Sequence, residues 1–229
     1  MTRALILPLL LAGACSTVAT QAPPPLATAA ESDGMGLFPS DAQVLADEDI
    51  ARILGTRWEV PEHVRIALLP LRRESVFASA SSYRAAGPQT ALRAVEELRQ
   101  LPFVYDVSYL PEFLLPANKT VALVREAAAR YQADWVLLYS TTVSAHPDVH
   151  LFRRDEVHGQ CLVECALLDT RSGLIPFTAR STEEINVKQE SHREELPALI
   201  LRAEQEAVDA AMLTNARSLI AFLERVEQG

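Results

Sequence analysis

Apolar residues in this chain change their spacing several times, and each change marks an expected element. Ser40 and Gln43 have capping-box spacing, and Ile50, Ile53 and Leu54 precede Gly55, which fits a helix end. Val64 to Leu69 is a continuous apolar run closed by Pro70, the pattern of a strand buried on both faces. Gly87-Pro88 then opens a helix with Ala91, Leu92, Val95 and Leu98 on one side. Phe103 to Leu110 alternates as a strand. Asn118 can cap the following helix, which places Val121, Val124, Ala128 and Tyr131 on one face.

In the C-terminal half the alternation is clearer. Trp135, Leu137, Tyr139, Thr141 and Val143 share a strand face, while the other face turns polar after Leu138 through Ser140, Thr142 and Ser144. A second strand carries Val157, Cys161, Val163, Cys165 and Leu167 in phase. The turn "DTRSG" leads to a third, with Ile175, Phe177, Ala179, Ile185 and Val187 in phase. An antiparallel meander with one buried and one wetter face follows. A helical segment from about Ser191 to Val226 ends the chain. Its stripe begins on Leu196, Ile200, Ala203 and Ala207 and resumes, rotated, on Leu219, Phe222, Leu223 and Val226. Either the helix bends near Thr214-Asn215 or its end packs on something different. The fold class is therefore α/β (α+β): a single compact domain with a mixed or antiparallel sheet flanked by helices and a long C-terminal helix.

The first 39 residues do not belong to that pattern. Arg3 is followed by the apolar stretch Ala4–Leu11 and by the small residues Ala12-Gly13-Ala14 before Cys15. A helix over these positions would be about 16 Å long, against roughly 30 Å of bilayer core, so the layout is that of a signal peptide. The run ending on cysteine resembles the lipobox of bacterial lipoproteins, although Leu11 lies one place further from the cysteine than in the commonest form. An ordinary secretory signal and a buried N-terminal helix remain the alternatives. From Ser16 to about Phe38 the chain is rich in Ala, Thr and Pro without periodicity, a tether reaching at most about 75 Å. The divisions are residues 1–14 as signal peptide, 15–39 as acylated cysteine and tether, and 40–229 as the folded domain.

A formal charge of −9 argues against nucleic acid and anionic lipid surfaces as partners. Cys161 and Cys165 lie four residues apart on one strand, about 13 Å, beyond the roughly 7 Å limit for a disulfide, and read as buried thiols. His146, Asp148, His150, Asp155 and His158 form the densest polar group. His146 and His150 have a spacing seen in zinc sites, but on a helix, whereas this segment reads as a hairpin tip beginning at His146-Pro147. There is no G-x-S-x-G elbow, glycine-rich phosphate loop or H-E-x-x-H, and no cofactor is expected.

Cys15, the strand "RIALLPL" and the run "AARYQADWVLLYSTTV … CLVECALLDTRSGLIPFTARST" together resemble the superfamily of outer-membrane lipoproteins that includes peptidoglycan-synthase activators and the curli-secretion pore subunit. The resemblance spans roughly Val64 to Val226. It implies a non-catalytic periplasmic α/β domain; no pair of lipid-facing strands for pore formation is apparent. Ser16, rather than aspartate, after the cysteine implies the outer membrane. The expected function is a periplasm-facing lipoprotein, anchored in the bilayer through Cys15, that binds an envelope protein, with Ser140, Thr142 and Ser144 as candidate contacts. Two alternatives stay open: a self-associating component of a secretion or envelope-assembly complex, and a metal-binding or enzymatic domain using residues 146–158.

Overall fold

A computed structural model of the chain describes residues 46–71, 91–115, 119–149, 153–191 and 194–227. In chain order the elements are α1 (Asp47–Gly55), β1 (Val64–Pro70), α2 (Leu92–Arg99), β2 (Val104–Tyr109), a 3-10 turn (Glu112–Leu114), α3 (Val121–Arg130), β3 (Trp135–Asp148), β4 (Glu156–Asp169), β5 (Phe177–Lys188) and α4 (Leu196–Glu227). The strands form one mixed sheet in the order β2-β1-β3-β4-β5. β1 runs parallel to β2 and β3, and β3-β4-β5 is the expected antiparallel meander.

Each face of the sheet has its own apolar layer. Ile66, Leu68, Trp135, Leu137, Cys161, Val163, Cys165 and Leu167 pack with Val95 and Leu98 of α2 and with Val208, Met212 and Leu219 of α4. On the opposite face Ala67, Leu69, Val136 and Leu138 pack under Val124, Ala127 and Ala128 of α3. β1 contributes to both layers, which is why its sequence is apolar without alternation.

Local chemistry fixes the ends of these elements. The Thr120 hydroxyl accepts from the Leu123 N–H at 3.3 Å and caps α3. Asn118, the cap expected from sequence, lies outside the described residues, as do Ser40, Gln43 and Gly87-Pro88. The β4–β5 turn closes on Asp169, whose carboxylate accepts from the Ser172 N–H at 3.1 Å. Arg125 of α3 clamps the same turn, donating to the carbonyls of Thr170 at 3.0 Å and Arg171 at 2.6 Å. Gly173 is favoured there by its φ of +79°, and a Cβ would also sit tightly, 3.0 Å from the Arg125 guanidinium.

Arg65 joins β1 to its surroundings. It donates to Asp106 on β2 at 2.9 Å and to the Tyr131 carbonyl at 2.7 Å, and its guanidinium lies 4.1 Å above the Tyr131 ring. Burial alone would raise the Asp106 pKa. Hydrogen bonds from Ser108 and Arg65, with the Arg65 and Arg99 charges, outweigh burial and hold the carboxyl below its usual range.

Two helices differ from the sequence reading in what they bury. Leu92 is 54% exposed, and Ala94 takes its place in the buried row with Ala91, Val95 and Leu98. α1 closes at Gly55 as expected but buries no residue; Trp58, just after it, makes the aromatic contact with the core. The C-terminal segment is one helix of 32 residues without a break. Leu199, Ala203, Ala207, Ala211, Asn215, Leu219 and Leu223 are all buried, an unbroken row at four-residue spacing that drifts about 40° per step. Its start packs on Val157 and Val187, its end in the cluster around Trp135. Among the described residues, no helix is long and apolar enough to cross a membrane.

Candidate partner-binding face

β3 outruns β1. Their last paired residues are Pro70 and Tyr139, and from Ser140 onward β3 pairs with β4 alone among the described strands. Beyond this point α4 still covers one face. On the other, antiparallel register sets Ser140, Glu164 and Arg180 in one cross-strand row, then Thr142, Leu162 and Thr182, then Ser144, Gln160 and Glu184. The next rows are His146, His158 and Asn186, and Asp148, Glu156 and Lys188. Every residue that β5 contributes to these rows is exposed.

The polar face expected from alternation is present, with one correction. Thr142 and Ser144 are partly exposed, whereas Ser140 is buried at 7%, and Leu162 beside Thr142 at 3%. The solvent-facing part of this polar face is therefore made by Thr142, Ser144 and the β4–β5 side chains. Most of these charges already have neighbours. Gln160 donates to Glu184 at 2.9 Å, Lys188 lies 3.1 Å from Glu156, and Arg180 approaches Glu164 at 3.9 Å. The Lys188 contact is the main reason the Glu156 pKa is lowered.

The polar tip also differs from expectation. β3 continues through His146 and Pro147 to Asp148, so the histidines at 146 and 158 sit opposite each other on paired strands rather than in a loop. His150 lies outside the described residues. No group of three or more His, Cys, Asp or Glu side chains able to hold a metal ion occurs among the described residues. The carboxylates with resolved shifts, Asp106, Glu156 and Glu194, are all lowered, opposite to what a general acid at neutral pH needs. A cavity of about 10 Å³ among Leu68, Leu98, Leu137, Cys165, Met212 and Asn215 has room for one water and no organic ligand.

Cys161 and Cys165 are buried and unpaired in the α4-facing layer, as their strand positions required. Burial pushes the Cys161 thiol up to about 12 and the Cys165 thiol to about 11, far from a reactive thiolate. Native full-length protein carrying Cys15→Ser should accordingly resist maleimide at neutral pH and take up two equivalents once unfolded in guanidinium. Rapid native labelling, followed by mass spectrometry, would contradict this burial.

No family model matches the chain, and no curated protein matches it. Solved structures similar to it include a PelC dodecamer from Paraburkholderia phytofirmans, 14% identical over 67% of this chain and 88% of that one, with a TM-score of 0.34. A minor lipoprotein from Acinetobacter baumannii is 11% identical over 69% and 94%, with a TM-score of 0.38. Rare lipoprotein B from Shewanella oneidensis is 15% identical over 71% and 96%, with a TM-score of 0.28. Lipoproteins thus recur among the structural neighbours, but similarity at this level assigns this chain no function.

Proposed function

We propose that this chain is a non-catalytic lipoprotein of the cell envelope, anchored through acylated Cys15 at the periplasmic face of the outer membrane, whose domain binds a partner protein. The observation that carries the reading is the run from Ala4 to Cys15: an apolar stretch too short to span a bilayer, ending in small residues and a thiol. The fold is compatible with this: two of the three cysteines are buried in the sheet, and Cys15 is the thiol we assign to acylation. Acyl chains contribute about 0.8 kcal/mol per buried methylene, and stable anchoring takes more than one chain. Residues 15–39 then act as a tether, holding the 40–229 domain off the bilayer. The outer-membrane assignment rests on Ser16 following the cysteine. On the domain, Thr142 and Ser144 with the neighbouring β4 and β5 side chains form the contact surface.

Two arms test this reading in intact cells. Cys15→Ser should move the protein from the membrane pellet to the soluble fraction, and the native mature chain should begin at a lipid-modified Cys15 by mass. Thr142→Arg with Ser144→Arg should leave the anchor intact and abolish the chain's envelope cross-links. A Cys15→Ser protein that sediments with membranes as before sinks the anchoring. Unchanged cross-links in the arginine variant sink the assigned surface.

A further inference from the structure

We propose that β5 is a self-association edge, along which two copies of this chain pair antiparallel about a two-fold axis at Thr182. The inference is independent of the lipid anchor. β5 closes the sheet: it is 12 residues long, and among the described residues its ladder partner is β4 alone. Such an edge presents a row of backbone N–H and C=O groups to any strand able to match it.

Charge selects both the occupant and the register. Opposite residues in an antiparallel pair share a face, so the axis must pass where one residue meets its own copy. Centred on Thr182, Arg180 faces the partner's Glu184, and symmetry makes that ion pair twice. On the α4 side the same register sets Phe177 against the partner's Val187 and Ala179 against the partner's Ile185; Phe177, Ala179 and Ile185 are partly buried and Val187 is buried. Shifting the centre to Arg180 or Glu184 puts like charges face to face. Centring on Ser181 or Glu183 makes no opposite-charge pair. The native strand is thus complementary to itself in one long register.

The helix layer fits that geometry. Ser181 donates to the Ala211 carbonyl at 2.9 Å and Asn215 to the Val163 carbonyl at 3.1 Å, which sets α4 above β4 and β5. With strands about 4.8 Å apart, a helix midway between them lies about 5 Å from the axis, so two copies would be about 10 Å apart, an ordinary packing distance. The flank of α4 turned to β5 is narrow. Thr214 bonds Glu183 at 2.8 Å there, and Ala210 and Ser218 lie one turn to either side.

The test uses full-length protein with Cys15→Ser, so that micelles cannot bring copies together. Analytical ultracentrifugation should show a dimer. Arg180→Glu and Glu184→Arg should each raise its Kd roughly tenfold, because each reverses two cross-axis pairs, and the double reversal should restore it. Facing Cα atoms at Thr182 would be about 4.5–5.5 Å apart, within disulfide range, so Thr182→Cys should give a covalent dimer on oxidation. A monomer at every soluble concentration overturns the proposal. So does a dimer that ignores both reversals and does not crosslink through Thr182→Cys.

Discussion

Gly159→Ala should destabilise the domain by about 1–3 kcal/mol, and Gly159→Val by about 3 kcal/mol. Chain entropy points the other way: replacing a strand glycine usually stabilises by about 0.4–1 kcal/mol through the unfolded state. The contact geometry decides the sign. A Cβ at this position on β4 would lie 2.6 Å from the Ala203 carbonyl oxygen and 2.9 Å from its carbonyl carbon. Both are backbone atoms of α4, so no rotamer change can relieve the overlap, and the helix must lift from the sheet. Leu199 and Ala203 would lose contact with Val157 and Val187 as it does. Thermal denaturation reads this directly, at about 2–4 °C per kcal/mol for a domain of this size. A second variant separates the cause. Ala203→Gly removes a side-chain neighbour at 3.3 Å but leaves the carbonyl in place, so it should not rescue Gly159→Ala. An unchanged melting temperature in Gly159→Ala, or rescue by Ala203→Gly, contradicts the close approach of α4.

The same contacts explain which parts of the fold were legible in sequence. Strand faces read well where alternation met burial, as at Cys161, Val163, Cys165 and Leu167, because a period of two leaves one way to bury them all. The apolar stripe of the C-terminal helix read as two rotated parts because Asn215 stands in the middle of its row. Asn215 belongs to the core all the same, since its amide donates to the Val163 carbonyl. A polar residue reads as core only once its partner is known. Leu92 misled in the opposite sense. Ala94 carries less apolar signal than leucine, yet the direction of α2 is set by Ala94, Val95 and Leu98 together. Pro147 looked like a strand end. β3 has no described neighbour on its β1 side there, and an edge position tolerates a residue without an N–H.

The candidate site was legible as a pattern and not as a surface. Alternation placed Ser140, Thr142 and Ser144 on one face, and the structure keeps them there. Which of them meets solvent depends on neighbours brought in by β4 and β5, and burial of Ser140 opposite Glu164 has no local signature. The opposition of His146 and His158 was equally hidden, because it is a property of register between strands separated by a hairpin. Cys15 is the reverse case: the role proposed for it is read wholly from the local sequence, and it falls outside the described residues.

Trp135→Ala should cost about 3–5 kcal/mol, a large share of the roughly 5–15 kcal/mol that stabilises a typical domain. Trp135 is fully buried at the start of β3, and its ring lies 5.3 Å from Trp58 and 6.3 Å from Phe103. Trp58 in turn stacks 5.7 Å from Phe222 of α4, which meets Phe177 of β5 at 5.3 Å. The cluster therefore ties the segment after α1 to the sheet and to the far end of the long helix. Removing the indole opens a cavity that four separate elements cannot close together. Trp135→Phe is the informative contrast. Among the described residues the Trp135 N–H meets no acceptor, so phenylalanine removes an unmet buried donor while keeping most of the packing. Its cost should be no more than about 1 kcal/mol, the smaller cavity set against relief of that donor. Guanidinium unfolding followed by circular dichroism distinguishes the two variants. Equal losses for alanine and phenylalanine would mean that the indole N–H finds a strong partner, and a loss under about 1 kcal/mol for alanine would mean that the aromatic cluster does not hold the domain together.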